Sequence, residues 1–258
     1  MPETATNNVL VTIPISHYCE KARWALDRAG ITFLEQPHVQ AIHRFATRRA
    51  GGGLTVPLLL CADAALTDST DILAWVDAQS RPTQALYPQN PDRATVVRRL
   101  EDYFNTRLGP QSRCWMYQQL RARRDLALDY GCAGVPAWEH MTLRFGYPAL
   151  ITLVAHILDV TPATGLRAEQ EVRAVFDAVG EYLSDGRRYL CGDEFTAADL
   201  TFSALAAPML MPKGYGVRLP EPDELPPYTA EVVRELRAHP AGRHALRMFH
   251  AERRAPTI

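Results

Sequence analysis

Apolar and polar positions follow two rhythms along this chain, and the change falls near residue 80. Val9 to Ile13 is a short β-branched run stopped by Pro14, the pattern of a strand. From about His17 to Arg28 the spacing becomes helical, with Gly30 as the stop signal. Ile31 to Phe33 predicts a second strand, and residues 41–50 a weak helix ended by Gly51-Gly52-Gly53. Val56 to Leu60 predicts a third strand, which Ala64 to Thr67 joins as a hairpin. Ile72, Leu73 and Val76 then form one face of a helix over about Ser69 to Ala78. The predicted order is β-α-β-α-β-β-α. After a polar stretch at 79–92 that holds Pro82, Pro88 and Pro91, every apolar pattern is helical. Val97, Leu100, Phe104 and Leu108 mark one helix, and Leu150, Leu153, Val154, Ile157 and Leu158 another. Val172, Val175, Phe176, Val179 and Leu183 give the cleanest amphipathic stripe. Residues 196–211 predict a buried helix, Pro212 to Pro227 a loop, and 229–238 and 240–250 two short closing helices. The stretch 121–147 fits the end of a long helix, a loop around Gly131 to Pro136 and a new helix start.

The change of rhythm predicts two domains, 1–80 and 93–258, joined by a linker at 81–92, and 258 residues are enough for both. With 47% hydrophobic and 22% charged residues the chain is neither disordered, collagen-like nor a coiled-coil rod. Lys+Arg 28 against Asp+Glu 29 argues against nucleic acid or an anionic membrane as partner. The longest apolar stretch, Tyr147 to Leu158, is too short to span a bilayer, and the first residues carry no signal-peptide pattern. Cysteines at 19, 61, 114, 132 and 191 are odd in number and widely spaced, which points to a reducing, cytoplasmic compartment. No Cys-x-x-Cys or His-Glu-x-x-His run offers a metal site, and His239, His244 and His250 do not share a helix face.

Three local signals carry chemistry. In Ile15-Ser16-His17-Tyr18-Cys19-Glu20-Lys21-Ala22-Arg23-Trp24-Ala25-Leu26 a strand stops and a helix starts at Ser16. A helix N-terminus favours a thiolate or another anion, while Ser16 also suits a plain N-cap. In Thr55-Val56-Pro57 a proline opens a β-like run, which marks an edge or a special backbone geometry. In Asp68-Ser69-Thr70-Asp71, Asp68 and Asp71 suit a capping box, and Asp68 with Ser69 equally suits a cradle for an amino-acid end.

In this order and spacing the three signals resemble the cytosolic glutathione transferase family, in a serine-type or bacterial-like subclass. Residues 16–26 look like its Ser-Pro-Tyr-Ser-x-Lys-Val-Arg-x-Ala-Leu segment, Val56-Pro57 like its cis-proline element, and Asp68-Ser69 like its Glu/Gln-Ser pair. Phe195-Thr196-Ala197-Ala198-Asp199-Leu200 looks like the family's helix-folding signal, with Thr196 as N-cap, Asp199 as its partner and Phe195 stapled on Leu200. The resemblance implies a thioredoxin-like N-terminal domain, an all-helical C-terminal domain, glutathione as co-substrate without a metal, and a homodimer. It makes Ser16 the thiolate-stabilising hydroxyl, gives Val56 the cysteinyl backbone beside cis-Pro57, and gives Asp68 and Ser69 the γ-glutamyl end. Thr55 takes a nearby, variable contact position.

The sequence departs from that pattern at His17, where proline is common, and at Cys19, where serine or alanine is usual. Ser16-x-x-Cys19 is half of a thioredoxin-type redox pair. The stretch 121–147 is longer than the matching connection of the family. His17 reads as a solvent-facing first-turn residue, or as a hydrogen-bonding contact for a ligand. Arg44, Arg48 and Arg49 read as a solvated basic face, or as contacts for the glycyl carboxylate. Tyr103, Trp115 and Tyr117 read as core, or as the lining of the electrophile pocket. Three functions are open at this point. The first is a transferase that adds the glutathione thiolate to a small, mostly apolar electrophile, a detoxification chemistry. The second is a thiol–disulfide oxidoreductase working through Cys19. The third is a non-catalytic binding or assembly module of the same fold.

Overall fold

The computed structural model describes residues 8–121 and 123–253. A four-stranded sheet is built on β1 (Val9–Thr12). β1 pairs in parallel with β2 (Leu34–Pro37) and antiparallel with β3 (Leu58–Leu60), which pairs antiparallel with β4 (Ala65–Leu66). Between these strands lie α1 (His17–Ala29) and α2 (His43–Arg49), and α3 (Ser69–Asp77) follows them. This is a thioredoxin-like unit with an all-helical domain after it.

Two predicted strands shift. The second begins at Leu34 rather than Ile31, because residues 31–33 still serve the exit from α1. Gly30 caps that helix in the left-handed region at φ 68°, and Ile31 N–H donates back to the Leu26 carbonyl. Leu-Glu-Gln-Pro shows no apolar alternation. It is an edge strand whose Glu35 carboxylate accepts from Thr12 Oγ1 at 2.6 Å and Arg23 Nε at 2.8 Å. The third strand begins at Leu58, since Val56 and the buried Pro57, joined by a cis peptide, precede the ladder.

The stripe predicted over 97–108 spans two kinds of helix. α4 (Pro91–Tyr103) is opened by the Asn90 cap and Pro91, then passes through a π-turn at 104–108 into α5 (Gly109–Leu120). Pro110 explains the turn. It has no N–H to continue the ladder, and Gly109 N–H reaches back five residues to the Phe104 carbonyl. The Asn105 carbonyl is taken instead by the Tyr18 hydroxyl at 3.0 Å.

α6 (Arg124–Gly131), a loop and α7 (Ala137–Ile157) occupy the stretch that resembled an insert. α8 (Pro162–Tyr182), α9 (Ala197–Leu210), α10 (Pro227–Ala238) and α11 (Pro240–Ala251) follow. Every residue of α9 is buried, as its apolar composition predicts. The main core joins Trp24 of α1 to Phe104, Trp115, Phe176 and Phe202 of the helical half. α7 packs separately, with Leu143 and Tyr147 against Val39. Its outer face leaves Trp138 and Phe145 exposed. No single described helix is long and apolar enough to cross a membrane.

The Thr196–Asp199 capping box forms at the start of α9. Asp199 is fully buried and accepts from Thr196 N at 3.1 Å, Thr196 Oγ1 at 3.0 Å, Leu190 N at 2.8 Å and His244 Nε2 at 3.1 Å. Phe195 and Leu200 share the main core.

Two buried ion clusters bind α1 to later parts of the chain. Lys21 Nζ meets Glu101 Oε1 at 2.8 Å, and the Tyr87 hydroxyl donates to the other Glu101 oxygen at 2.7 Å. Glu20 is reached by Arg253 at 2.7 Å and by Arg23 at 3.4 Å, and accepts from Gly216 N–H at 2.9 Å. Arg253 also meets Asp27 at 2.7 Å, and Trp24 Nε1 donates to the Glu252 carbonyl at 3.3 Å.

Candidate functional site

The turn from β1 into α1 places Ser16 at the N-cap, in extended backbone, with its Oγ accepting from Cys19 N–H at 3.4 Å. In front of it opens a cavity of about 280 Å³. Ser16, Thr55 and Val56 line one side of it, together with His43 and Arg44 of α2. Arg113, Met116 and Tyr117 of α5, with Val154 and Ile157 of α7, close the other side. Both domains thus supply apolar wall, and the thioredoxin-like unit also supplies the Ser16 hydroxyl.

Asp68 and Ser69 lie outside this wall, at the start of α3. Asp68 is exposed, and its Oδ1 accepts from Thr70 N–H at 2.7 Å. The predicted capping box with Asp71 does not form: Asp68 caps α3 alone, and Asp71 is exposed. The start of α3 that Asp68 caps sits beside α1, where Lys21 Nζ donates to Thr70 Oγ1 at 3.2 Å.

Cys19 also lies outside the wall. It is completely buried, and burial pushes its thiol pKa up against the partial relief from Arg23 and the Ser16 hydroxyl. A redox thiol needs exposure and a lowered pKa.

His17 is the clearest reversal. It does not face solvent: it is 2% exposed, and its Nε2–H donates to the Gly109 carbonyl at 3.0 Å. Burial, with Arg113 adding to it, lowers its pKa to about 3. The first turn of α1 therefore docks through His17 and Tyr18 on the carbonyls of the π-turn and its exit. Gly109 is required there, because a Cβ would overlap the Tyr18 hydroxyl. The Gly109-Pro110 pair is the mark this junction leaves in the sequence.

The other open residues divide. Arg44 faces the cavity while Arg48 and Arg49 are exposed. Trp115 is core, donating to Glu169 at 3.0 Å, and Tyr103 is 37% exposed. Tyr117 lines the cavity, and burial raises its pKa to about 12, so its phenol stays protonated at neutral pH. Arg113 and Met116 carried no distinguishing pattern in the sequence.

The site should make the protein acid-labile. His43 is 5% exposed, and burial lowers its pKa to about 4. Both histidines stay neutral when folded but take up protons below pH 6.5 when unfolded. Their contribution is fully present above pH 6.5 and is lost as pH falls towards the folded values. The loss is about 1.4 kcal/mol per pH unit for each. Urea midpoints measured from pH 7 to pH 5 should fall steeply, and less steeply in His17→Leu. Equal slopes in the two proteins would contradict the assignment.

Family models match the chain in two places. The glutathione S-transferase N-terminal domain matches residues 10–84, and the C-terminal domain matches residues 132–232. No curated protein matches the chain by sequence. Among solved structures, glutathione transferase F2 of Populus trichocarpa is 16% identical at a TM-score of 0.57, with 95% of this chain and 99% of that one covered. A theta class enzyme of Xanthomonas axonopodis pv. citri, solved with glutathione bound, is 19% identical at 0.54, over 94% and 98%. A glutathione S-transferase of Methylobacterium radiotolerans, in complex with glutathione sulfonate, is 18% identical at 0.53, over 93% and 94%. With both domain models matched in order on one chain, and this fold shared over nearly its whole length, the chain belongs to the glutathione S-transferase family.

Proposed function

We propose that the protein is a glutathione transferase that adds the glutathione thiolate to a small, mostly apolar electrophile. The observation that carries this reading is a single cavity with Ser16, at a helix N-terminus, on one side and the apolar wall of Met116, Tyr117, Val154 and Ile157 on the other. Ser16 donates to the thiolate, and Val56 beside Pro57 pairs with the cysteinyl backbone. Asp68 and Ser69 hold the γ-glutamyl end, Thr55 lies alongside, and Arg44 faces the glycyl carboxylate. The complete burial of Cys19 favours this over thiol–disulfide chemistry. A cytoplasmic homodimer divided at 1–80, 81–92 and 93–258, with no metal, completes the proposal. Calorimetry should detect glutathione binding at or below millimolar concentration, and a broad electrophile panel should yield thioether product. Heatless titration at millimolar glutathione would end this reading.

A further inference from the structure

The wall of the cavity is electrically one-sided. Two guanidinium groups line it, Arg44 from α2 and Arg113 from α5, and no Asp or Glu does. Among the described residues, neither side chain donates a hydrogen bond or has a carboxylate within 4.0 Å. Two neighbouring arginines show the contrast. Arg107 is paired with Glu171 at 2.7 Å, and Arg93 meets Glu194 at 3.7 Å. Arg113 also borders an outer groove with Asp159 and Glu171, but Glu171 is taken by Arg107, and Asp159 is not within pairing distance. Arg113 is half-buried and lines the cavity together with His17 and Tyr18 of the first turn of α1.

A partly buried guanidinium without a counter-charge is costly unless a ligand supplies one. Glutathione brings two carboxylates and one ammonium. In the proposed pose Asp68 and Ser69 receive its γ-glutamyl end and Arg44 faces its glycyl carboxylate, so Arg113 is left over. It projects from the helix that also contributes Met116 and Tyr117 to the apolar wall.

We propose that Arg113 selects electrophiles that carry a carboxylate at the end of an apolar body, by pairing with that carboxylate beside Met116 and Tyr117. This rests on the transferase reading above. Arg113 is then a specificity-determining residue: the planar guanidinium takes the carboxylate in two parallel hydrogen bonds, and the electrophilic carbon is held towards Ser16. The reaction itself is a substitution. The glutathione sulfur forms a C–S bond as the C–Cl bond of a benzylic chloride breaks, chloride leaves with the bonding pair, and the thiol proton goes to solvent.

The test uses a matched pair of probes, 4-(chloromethyl)benzoate and benzyl chloride, with rates corrected for the uncatalysed reaction. The wild-type protein should favour the benzoate. Arg113→Met should lower kcat/KM for the benzoate at least tenfold, mainly through KM, and change the value for benzyl chloride less than threefold. Glutathione affinity by calorimetry should not change. Arg113→Lys, which keeps the charge but not the fork, should recover part of the benzoate activity and remains informative if the methionine variant folds poorly. Equal losses on both probes, or a wild-type preference for benzyl chloride, would overturn the inference while leaving the transferase reading intact. Absence of glutathione binding and of turnover on either probe would overturn both.

Discussion

Ser16→Ala is expected to lower kcat/KM about ten- to a hundredfold, equivalent to about 1.4–2.7 kcal/mol, with little change in glutathione affinity. A free thiol has a pKa of about 8.5, so making the thiolate the majority species at pH 7 takes a shift of about two units, or about 2.7 kcal/mol. The start of α1 offers about 0.3–1 kcal/mol to an anion, and up to about 2 in favourable geometry. A hydrogen bond to a charged group adds about 1.5–3 kcal/mol. The dipole alone therefore falls short, and a donor at the helix start is required. The alternatives are committed elsewhere: the Tyr18 hydroxyl to the Asn105 carbonyl, and His17 Nε2–H to the Gly109 carbonyl. Ser16 faces the cavity, and its oxygen accepts only a long bond from Cys19 N–H. The acid limb of the pH–rate profile should move up by about one to two units in the variant, as the free-thiol value is regained. Cys19→Ala is the control. It should change kcat/KM less than threefold, because Cys19 lies behind the cavity wall. A dead Cys19 variant beside a fully active Ser16→Ala would reverse the assignment.

Asp199→Ala should be the most destabilising single change described here, costing about 3–5 kcal/mol. Its carboxylate gathers four donors inside the core, from Thr196, Leu190 and His244. Alanine leaves buried N–H groups of Leu190 and Thr196 unpaired, at about 1–3 kcal/mol each, and removes the reciprocal cap of α9. α9 is buried on all sides, so water cannot replace the lost bonds. The melting temperature should fall by roughly 6–20 °C. Asp199→Asn should cost less, because the amide oxygen still accepts from two of the donors. Asp199 is not in the cavity wall, so activity per folded molecule at low temperature should be unchanged. A melting point within about 2 °C of the wild type would show that the hub is not the keystone of the helical domain.

The parts of this fold that were legible are those whose signal is local. Val9 to Thr12, the helix after Ser16 and its Gly30 stop, and the Thr196–Asp199 start of α9 each carry their cause within a few residues. β2 leaves no such signal, because an edge strand held by Glu35, Thr12 and Arg23 needs no apolar alternation. A first-turn histidine such as His17 looks exposed until the partner helix is known. Its acceptor, Gly109, lies 92 residues away, at the far end of a π-turn. The site divided in the same way. Ser16, Val56 and Asp68 sit at helix caps or beside a proline, where backbone geometry leaves a mark in sequence. Arg113, Met116 and Tyr117 are ordinary helix residues that only the docking of α5 beside the first turn of α1 turns towards the cavity.

Glu20 is neutralised at 2.7 Å by Arg253 and only at 3.4 Å by Arg23. The partner it needs is 233 residues downstream. At about 5–20 residues per second of translation, α1 emerges roughly ten to fifty seconds before Arg253 exists. During that interval the Glu20 carboxylate must remain in water, and the face of α1 that carries it cannot close. The half of the protein made first thus closes only after residue 253 has been made.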